Sequence, residues 1–391
     1  MIVLSIKVGG RLINLMKNIT LPGIAMVAVT YALARLSFGL FLPEIAASLN
    51  LSESQSGFIG TLGYLSYVVA LFSSSFFIQK ATTYIVALTA GLSAVIGLTG
   101  MSLATNIIVL GLSTLIAGLG SGWSSTVYSK IVQSNLPVDE QDPANSWINT
   151  GTSFGVIVSG PIALLFTGFW RTSFLFFAFL SLLTLIWNAL VLPKPKLKTV
   201  KRSKTSFNFI SDVRKARFLI CAALVIGFST SIYWTFSRSY LTIIYQWNHS
   251  SSILFWIVMG AAGIGGSTAG KLVQLKGLDF SFKSVLIILS LSISLLVFPP
   301  MLTIYLSAIL FGVAYIAITG ILLIWGTKSF PNSPDLGVSI SFLSLGIGQT
   351  IGSSVAGISI EHFSYPFSFI LFSLLVILAL FIPIPPSASN Q

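Results

Sequence analysis

Charge is what this chain lacks. Of its 391 residues only 8% are Asp, Glu, Lys or Arg, while 54% are hydrophobic. Soluble domains carry about 25% charged residues. A water-soluble fold of this size could not cover its surface with so few, so the solvent for most of it is lipid. Acid is scarcest: nine Asp and Glu face 21 Lys and Arg, a formal net charge of +12. In a soluble protein that excess would point to nucleic acid. Here the bases sit in short loops between apolar runs, which excludes a nucleic-acid partner. Cysteine occurs once, as Cys221, so no disulfide forms within the chain, and a small buried apolar role is expected for it. Histidine occurs twice. There is no cluster of metal ligands, no Walker loop and no catalytic triad. The expectation is therefore no enzyme, no metal and no cofactor.

What is present is a series of long apolar runs. Crossing about 30 Å of hydrocarbon takes roughly 20 apolar residues in a helix. Twelve runs of that kind lie near 21–43, 57–78, 82–103, 107–128, 145–167, 172–192, 218–243, 252–273, 283–299, 302–325, 337–360 and 366–384. A barrel would instead show segments of about 10 residues with alternating polarity. The N-terminus does not read as a cleaved signal: Lys7, Arg11 and Lys17 precede a run too long for a signal core. Met1 and Met16 both remain open as the start.

Eighteen of the basic residues fall in segments that are cytoplasmic if the N-terminus is inside, among them Lys80, Lys130, Lys271, Lys276, Lys283 and Lys328. Arg171 alone falls on the other side, and Arg35 and Arg238 lie within runs. That asymmetry predicts both termini in the cytoplasm. The stretch 193–217 is lysine-rich, proline-flanked and central, and reads as a linker between halves at 1–192 and 218–391. Phe207, Ile210 and Val213 recur at three-residue spacing, so part of the linker is either an amphipathic helix on the inner leaflet or a solvated loop.

The halves repeat each other. Run 5 carries Gly151, Gly155 and Gly160; run 11 carries Gly348, Gly352 and Gly357, each 197 residues later. Gly63 and Gly260 are 197 apart as well, and Ser173-Phe174 matches Ser368-Phe369 at 195. Small residues at such spacing let helix backbones approach closely, so packing is the first expectation for these glycines and a hinge role the second.

With twelve runs, a basic central loop and two related halves, the chain resembles the major facilitator superfamily over nearly its whole length. The loop after run 8, Gly270-Lys271-Leu272-Val273-Gln274-Leu275-Lys276-Gly277, is similar to the family's Gly-x-Leu-x-Asp-Arg-x-Gly pattern. Ser75-Phe76-Phe77-Ile78-Gln79-Lys80 after run 2 is a more eroded copy. Glutamine replaces the family's acid in both, so the resemblance implies a gating latch that is lost or made of a neutral hydrogen bond. Gly155 through Gly160-Pro161 is similar to the antiporter-associated glycine-proline motif, and Arg35 through Pro43 is similar to the first helix of the YbfB/YjiJ-like bacterial branch. The resemblance implies an all-α integral membrane fold, two six-helix bundles with helices 1, 4, 7 and 10 around a central cavity, and a monomer in the cell membrane. It further implies a secondary active or facilitative transporter working by alternating access on a small solute.

The polar groups inside the runs bear on that solute. Arg35 lies well within run 1, where a charge costs several kcal/mol unless it faces water or a partner. Its fork suits an anionic group such as a carboxylate, although a structural ion pair would use it equally. Tyr31, four residues earlier, shares its helix face. Trp123 in run 4, Tyr233 and Trp234 in run 7, Tyr315 in run 10 and Gln349 in run 11 are the further candidates for contact with solute. Arg238 lies nearer an end of run 7, with snorkelling or pairing to Glu44, Glu53 or Glu361 expected. No Asp or Glu lies at mid-depth, so Glu44 is the candidate for coupling to protons. An anionic organic solute is the first reading. Proton-coupled efflux of drugs or metabolites is the second, and a non-transporting receptor or scaffold with the same fold is the third.

Overall fold

The computed structural model describes residues 18–194, 209–331 and 333–384. Lys7, Arg11, Lys17, Met16 and most of the linker, with Phe207, lie outside the described residues. The described residues form twelve long helices: α1 Asn18–Leu49, α2 Glu53–Lys80, α3 Thr83–Ser102, α4 Ile107–Asn135, α5 Val138–Leu165, α6 Trp170–Val191, α7 Asp212–Ile243, α8 His249–Gly266, α9 Leu278–Leu295, α10 Met301–Ser329, α11 Pro334–His362 and α12 Tyr365–Phe381. The first eleven are long and apolar enough to cross a membrane. The twelfth is shorter and ends two residues before Pro383.

Several ends differ from the expected runs. α1 continues through Pro43 to Leu49. A proline inside a helix removes one backbone donor, and such helices persist where neighbours re-satisfy the freed groups. Pro43 takes the helical donor from Gly39 O, four residues back, and Arg238 Nη1 donates to the next carbonyl, that of Leu40. α5 starts at Val138, with Asp139 and Glu140 in its first turn, where negative charge complements the helix dipole. Run 8 was expected to be continuous to 273 but breaks after Gly265-Gly266, and Ala269–Lys276 forms a separate two-turn helix. Cys221, expected buried, is exposed on α7.

Two compact units result. One comprises Met1–Ser37 and Ser66–Thr199, the other Phe38–Leu65 and Val200–Gln391. Within each unit the glycine repeat does the same job. A Cβ added to Gly151 would fall on the carbonyl oxygen of Ile24, and one on Gly155 would lie 2.7 Å from that of Ala28. In the second unit a Cβ on Gly348 would fall on the Leu224 carbonyl and one on Gly352 on that of Phe228. The glycines are 197 residues apart and their carbonyl partners 200. So α5 lies on α1 as α11 lies on α7, by backbone-to-backbone approach that only a missing side chain permits.

The first unit is further tied by a polar knot. Tyr128 on α4 donates to Asn188 Oδ1 on α6, whose amide donates to Pro22 O on α1 at 3.3 Å and to Thr184 O at 2.9 Å. Tyr128 and Asn188 are both almost fully buried. Tyr128→Phe is expected to destabilise the protein by about 1–3 kcal/mol, the cost of an orphaned buried acceptor, read as a lower unfolding temperature in detergent.

Candidate functional site

Arg35 stands in an unusual stretch of backbone. Residues Ala28–Leu36 wind as a π-helix, a form that is rare beyond single turns and concentrates at functional sites. The Ser37 amide donates to Ala32 O, five residues back. The Ser37 hydroxyl takes the carbonyl four residues back, Leu33 O, at 2.5 Å, and Thr30 Oγ1 likewise takes Met26 O at 2.8 Å. Arg35 is buried, and its guanidinium carbon lies 4.1 Å from the centroid of the Tyr67 ring and 5.6 Å from that of Tyr31. The two rings meet edge to face at 5.8 Å. The charge is thus held in an aromatic cage, an arrangement that contributes about 2 kcal/mol when desolvated. Tyr31 is where the spacing predicted. Tyr67, on α2, was missed, since nothing in the linear sequence sets run 2 beside Arg35.

The second unit carries an aromatic–amide cluster. Gln349 Nε2 on α11 donates to the Tyr315 hydroxyl on α10 at 3.0 Å. The Trp234 ring packs edge-on against Tyr315 at 5.1 Å, Phe311 at 5.6 Å and Trp256 at 5.7 Å. The Trp234 indole N–H is buried and finds no acceptor among the described residues. Trp234, Tyr315 and Gln349 were each named as candidates for contact with solute, and the structure brings them together; Phe311 and Trp256 were missed. Tyr233 joins the same cluster through Phe311. One residue round the helix from Trp234, it is fully buried, stacks on Phe311 at 3.8 Å and shares a 2.8 Å hydrogen bond with Ser307. Trp123 has partners of its own: its indole donates to Ser73 Oγ on α2 at 3.1 Å and its ring meets Phe77 at 5.6 Å, so it ties α4 to α2. Trp123→Phe is expected to leave solute affinity within twofold while lowering stability by about 1 kcal/mol, measured by transport titration beside thermal unfolding.

A buried ion pair lies towards the other end of α7, again within the second unit. Arg238 Nη2 and Nη1 reach Glu44 Oε1 and Oε2, each at 2.6 Å. Arg238 Nε donates to Ser252 Oγ at 3.1 Å. His249, the first residue of α8, places Nδ1 2.8 Å from Glu44 Oε1. The Arg238 side chain is wholly buried and that of Glu44 is 9% exposed. Of the three carboxylates expected as partners, Glu44 is the one used. Glu53 instead accepts from Tyr365 Oη at 2.7 Å. Glu361, at the end of α11, accepts from Ser52 Oγ at 2.8 Å and from the Ser54 amide at 2.7 Å, capping the start of α2. The hydroxyl of Thr61 on α2 bonds Thr350 O on α11 at 2.8 Å, and Ser353 Oγ bonds Gly57 O at 3.0 Å. Gly357 packs against Glu53 O and the Cα of Gly57, so it closes α11 onto α2.

The remaining gating and packing candidates divide. Gly160 is buried, and Pro161 stands exposed inside α5. Gly277 ends its short helix at φ +82°, a conformation glycine tolerates. Gly270 is corrected: nothing lies within 4 Å of a Cβ built there, so it does not pack. Gln274 is exposed because its two-turn helix turns that face outward.

Comparison with known proteins gives one family. The pattern of the Major Facilitator Superfamily matches residues 24–335. The purine ribonucleoside efflux pump NepI of Salmonella paratyphi A is 23% identical over 354 residues, covering 87% of each chain. The crystal structure of the nucleoside transporter NupG superposes with a TM-score of 0.74 at 14% identity, covering 94% of this chain and 98% of that one. That of a D-xylose–proton symporter superposes at 0.77 with 16% identity, covering 97% and 99%. At these identities the structures speak for the fold.

Proposed function

The chain belongs to the Major Facilitator Superfamily, and on that premise we propose that it carries a small organic solute bearing an anionic group across the cell membrane by alternating access. It is a multi-pass membrane transporter and not an enzyme. Arg35 carries the reading. A guanidinium buried in a span and braced on an aromatic ring is an anion anchor whose geometry is set before the solute arrives. The Arg238–Glu44 pair supports the second part of the proposal: with the contacts of Glu361 it latches α1 and α2 to α7, α8 and α11 at the end poor in lysine, which is the outer end. Opening that end breaks the latch; closing it re-forms it.

A second reading rests on the cluster around Trp234. Aromatic faces beside an amide and an unpartnered indole donor suit a planar heteroaromatic solute, and the similarity to a purine ribonucleoside pump favours the same class. Uptake into proteoliposomes separates the readings. Organic anions and purine nucleosides are each offered with and without a pH gradient, which also tests coupling to protons. Arg35→Gln is expected to weaken an anionic solute about 10–100-fold, since a hydrogen bond to a charged group contributes about 1.5–3 kcal/mol. It should leave a nucleoside nearly unaffected. Arg35→Lys keeps the charge and loses the fork, so an intermediate loss is expected. Wild-type affinity for every anion in Arg35→Gln would remove the anchor from the mechanism. A chain that moves no solute under any gradient would be a receptor or scaffold.

A further inference from the structure

α1 is one continuous helix that belongs to two units. The first unit ends at Ser37 and the second takes up the chain at Phe38. The π-winding ends at Leu36. The change of winding and the change of unit therefore fall within two residues of each other. Beyond that point α1 is fixed to the second unit at three successive levels. Gly39 lies so close to α7 that a Cβ there would fall on Trp234 O. Leu40 O accepts from Arg238, and Glu44 holds the same guanidinium by both oxygens. Before that point Arg35 is stacked on Tyr67 in the first unit.

A helix cannot change from bonding five residues back to bonding four residues back without rotating everything downstream about its axis. The hydroxyl groups hold it in the wider winding. Leu33 O, which the Ser37 amide would need in an α-helix, is taken by the Ser37 hydroxyl while the amide reaches Ala32 O. The rotation is also blocked from the other side, because Glu44 and Leu40 cannot turn away while Arg238 grips both.

We propose that Ala28–Leu36 is a winding switch: release of the Arg238–Glu44 latch lets this segment pass from π to α winding, and the passage turns Arg35 off the Tyr67 ring. Latch and anchor then act as one device, because they are nine residues apart on a single helix whose register they share. The inference rests on the transporter reading for its purpose, but its geometry stands apart from it.

The test is a scan of single spin labels along α1, at 20–27 and at 39–49, in a Cys221→Ser background. Collision accessibility gives the helical phase of each stretch. In the wild type the two phases differ by a fixed offset. In Glu44→Gln the downstream phase is expected to shift by about 100°, one residue's rotation in an α-helix, with the upstream phase unchanged. The double variant Ser37→Ala, Glu44→Gln, which also frees Leu33 O, is expected to show the same shift in full. Arg238→Gln replaces Glu44→Gln if that variant is not monodisperse. A rise in accessibility with no shift of phase in these variants would mean that α1 tilts without rewinding and would overturn the proposal. Transport is measured on the same samples. An unshifted phase with solute still moving sinks the switch alone, whereas a shifted phase with no transport sinks the functional reading alone.

Discussion

Arg238→Met unfolds at a much lower temperature than the wild type, while the double variant Glu44→Leu, Arg238→Met recovers a large part of the loss. The expectation follows from the burial of the pair. Removing one partner of a buried ion pair leaves an uncompensated charge and costs about 3–5 kcal/mol, whereas replacing both by apolar groups of similar volume is often neutral or better. In Arg238→Met the carboxylate of Glu44 keeps, among the described residues, only His249, whose side chain is 50% exposed. The Leu40 carbonyl, three residues before Pro43, loses the Arg238 guanidinium in the same substitution. His249→Ala is the contrasting case: a half-exposed partner contributes about 0–1 kcal/mol. A double-mutant cycle from thermal unfolding in detergent gives the coupling directly. If the double variant unfolds no higher than Arg238→Met, the damage lies in Arg238's bonds to Leu40 O and Ser252 rather than in the pair, and the latch is not electrostatic.

That pair marks how far the sequence reaches. Arg238 could be placed near the end of run 7 and three acids could be named for it, because a buried cation needs a counterion and few acids exist. Choosing Glu44 required knowing that α1 runs on through Pro43 for two more turns, which carries Glu44 on the helix instead of in a loop. A proline reads as a stop, and the side chain that Leu40 O and Glu44 meet on either side of it comes from α7, some two hundred residues away. Trp123 and Tyr233 show the same limit from another side. Depth in a span is readable from length, but rotation about the helix axis is not, and one residue of rotation separates Trp234 from Tyr233. The π-winding of α1 shifts that rotation again, with only the hydroxyls of Thr30 and Ser37 as a local cause. The glycine repeat was legible because it needs no rotation to be known: the same contact recurs in both halves, so the same residues recur at one offset.

Gly151→Val and Gly348→Val are expected to be strongly and equally destabilising. In each case the added Cβ would lie far inside contact distance of a backbone carbonyl oxygen, of Ile24 or of Leu224. A side chain could swing aside, but a carbonyl inside a helix cannot, so the helices must separate and lose the contacts on either side of the clash. Overpacking typically costs about 1–3 kcal/mol, and a clash with backbone on both sides of a helix pair puts these variants at or above the upper end. Gly→Ala at the same sites should already show most of the effect, because the first carbon is the one that collides. Gly270→Val is the internal control: it has open space around it and should change stability by no more than about 0.5 kcal/mol. Unfolding temperatures of the purified variants decide the matter. Equal losses at Gly151 and Gly348 follow if α5 on α1 and α11 on α7 are two copies of one interface. A loss at Gly348 with none at Gly151 would mean that the first copy has room to relax, and that the repeat in sequence no longer carries a repeat in packing.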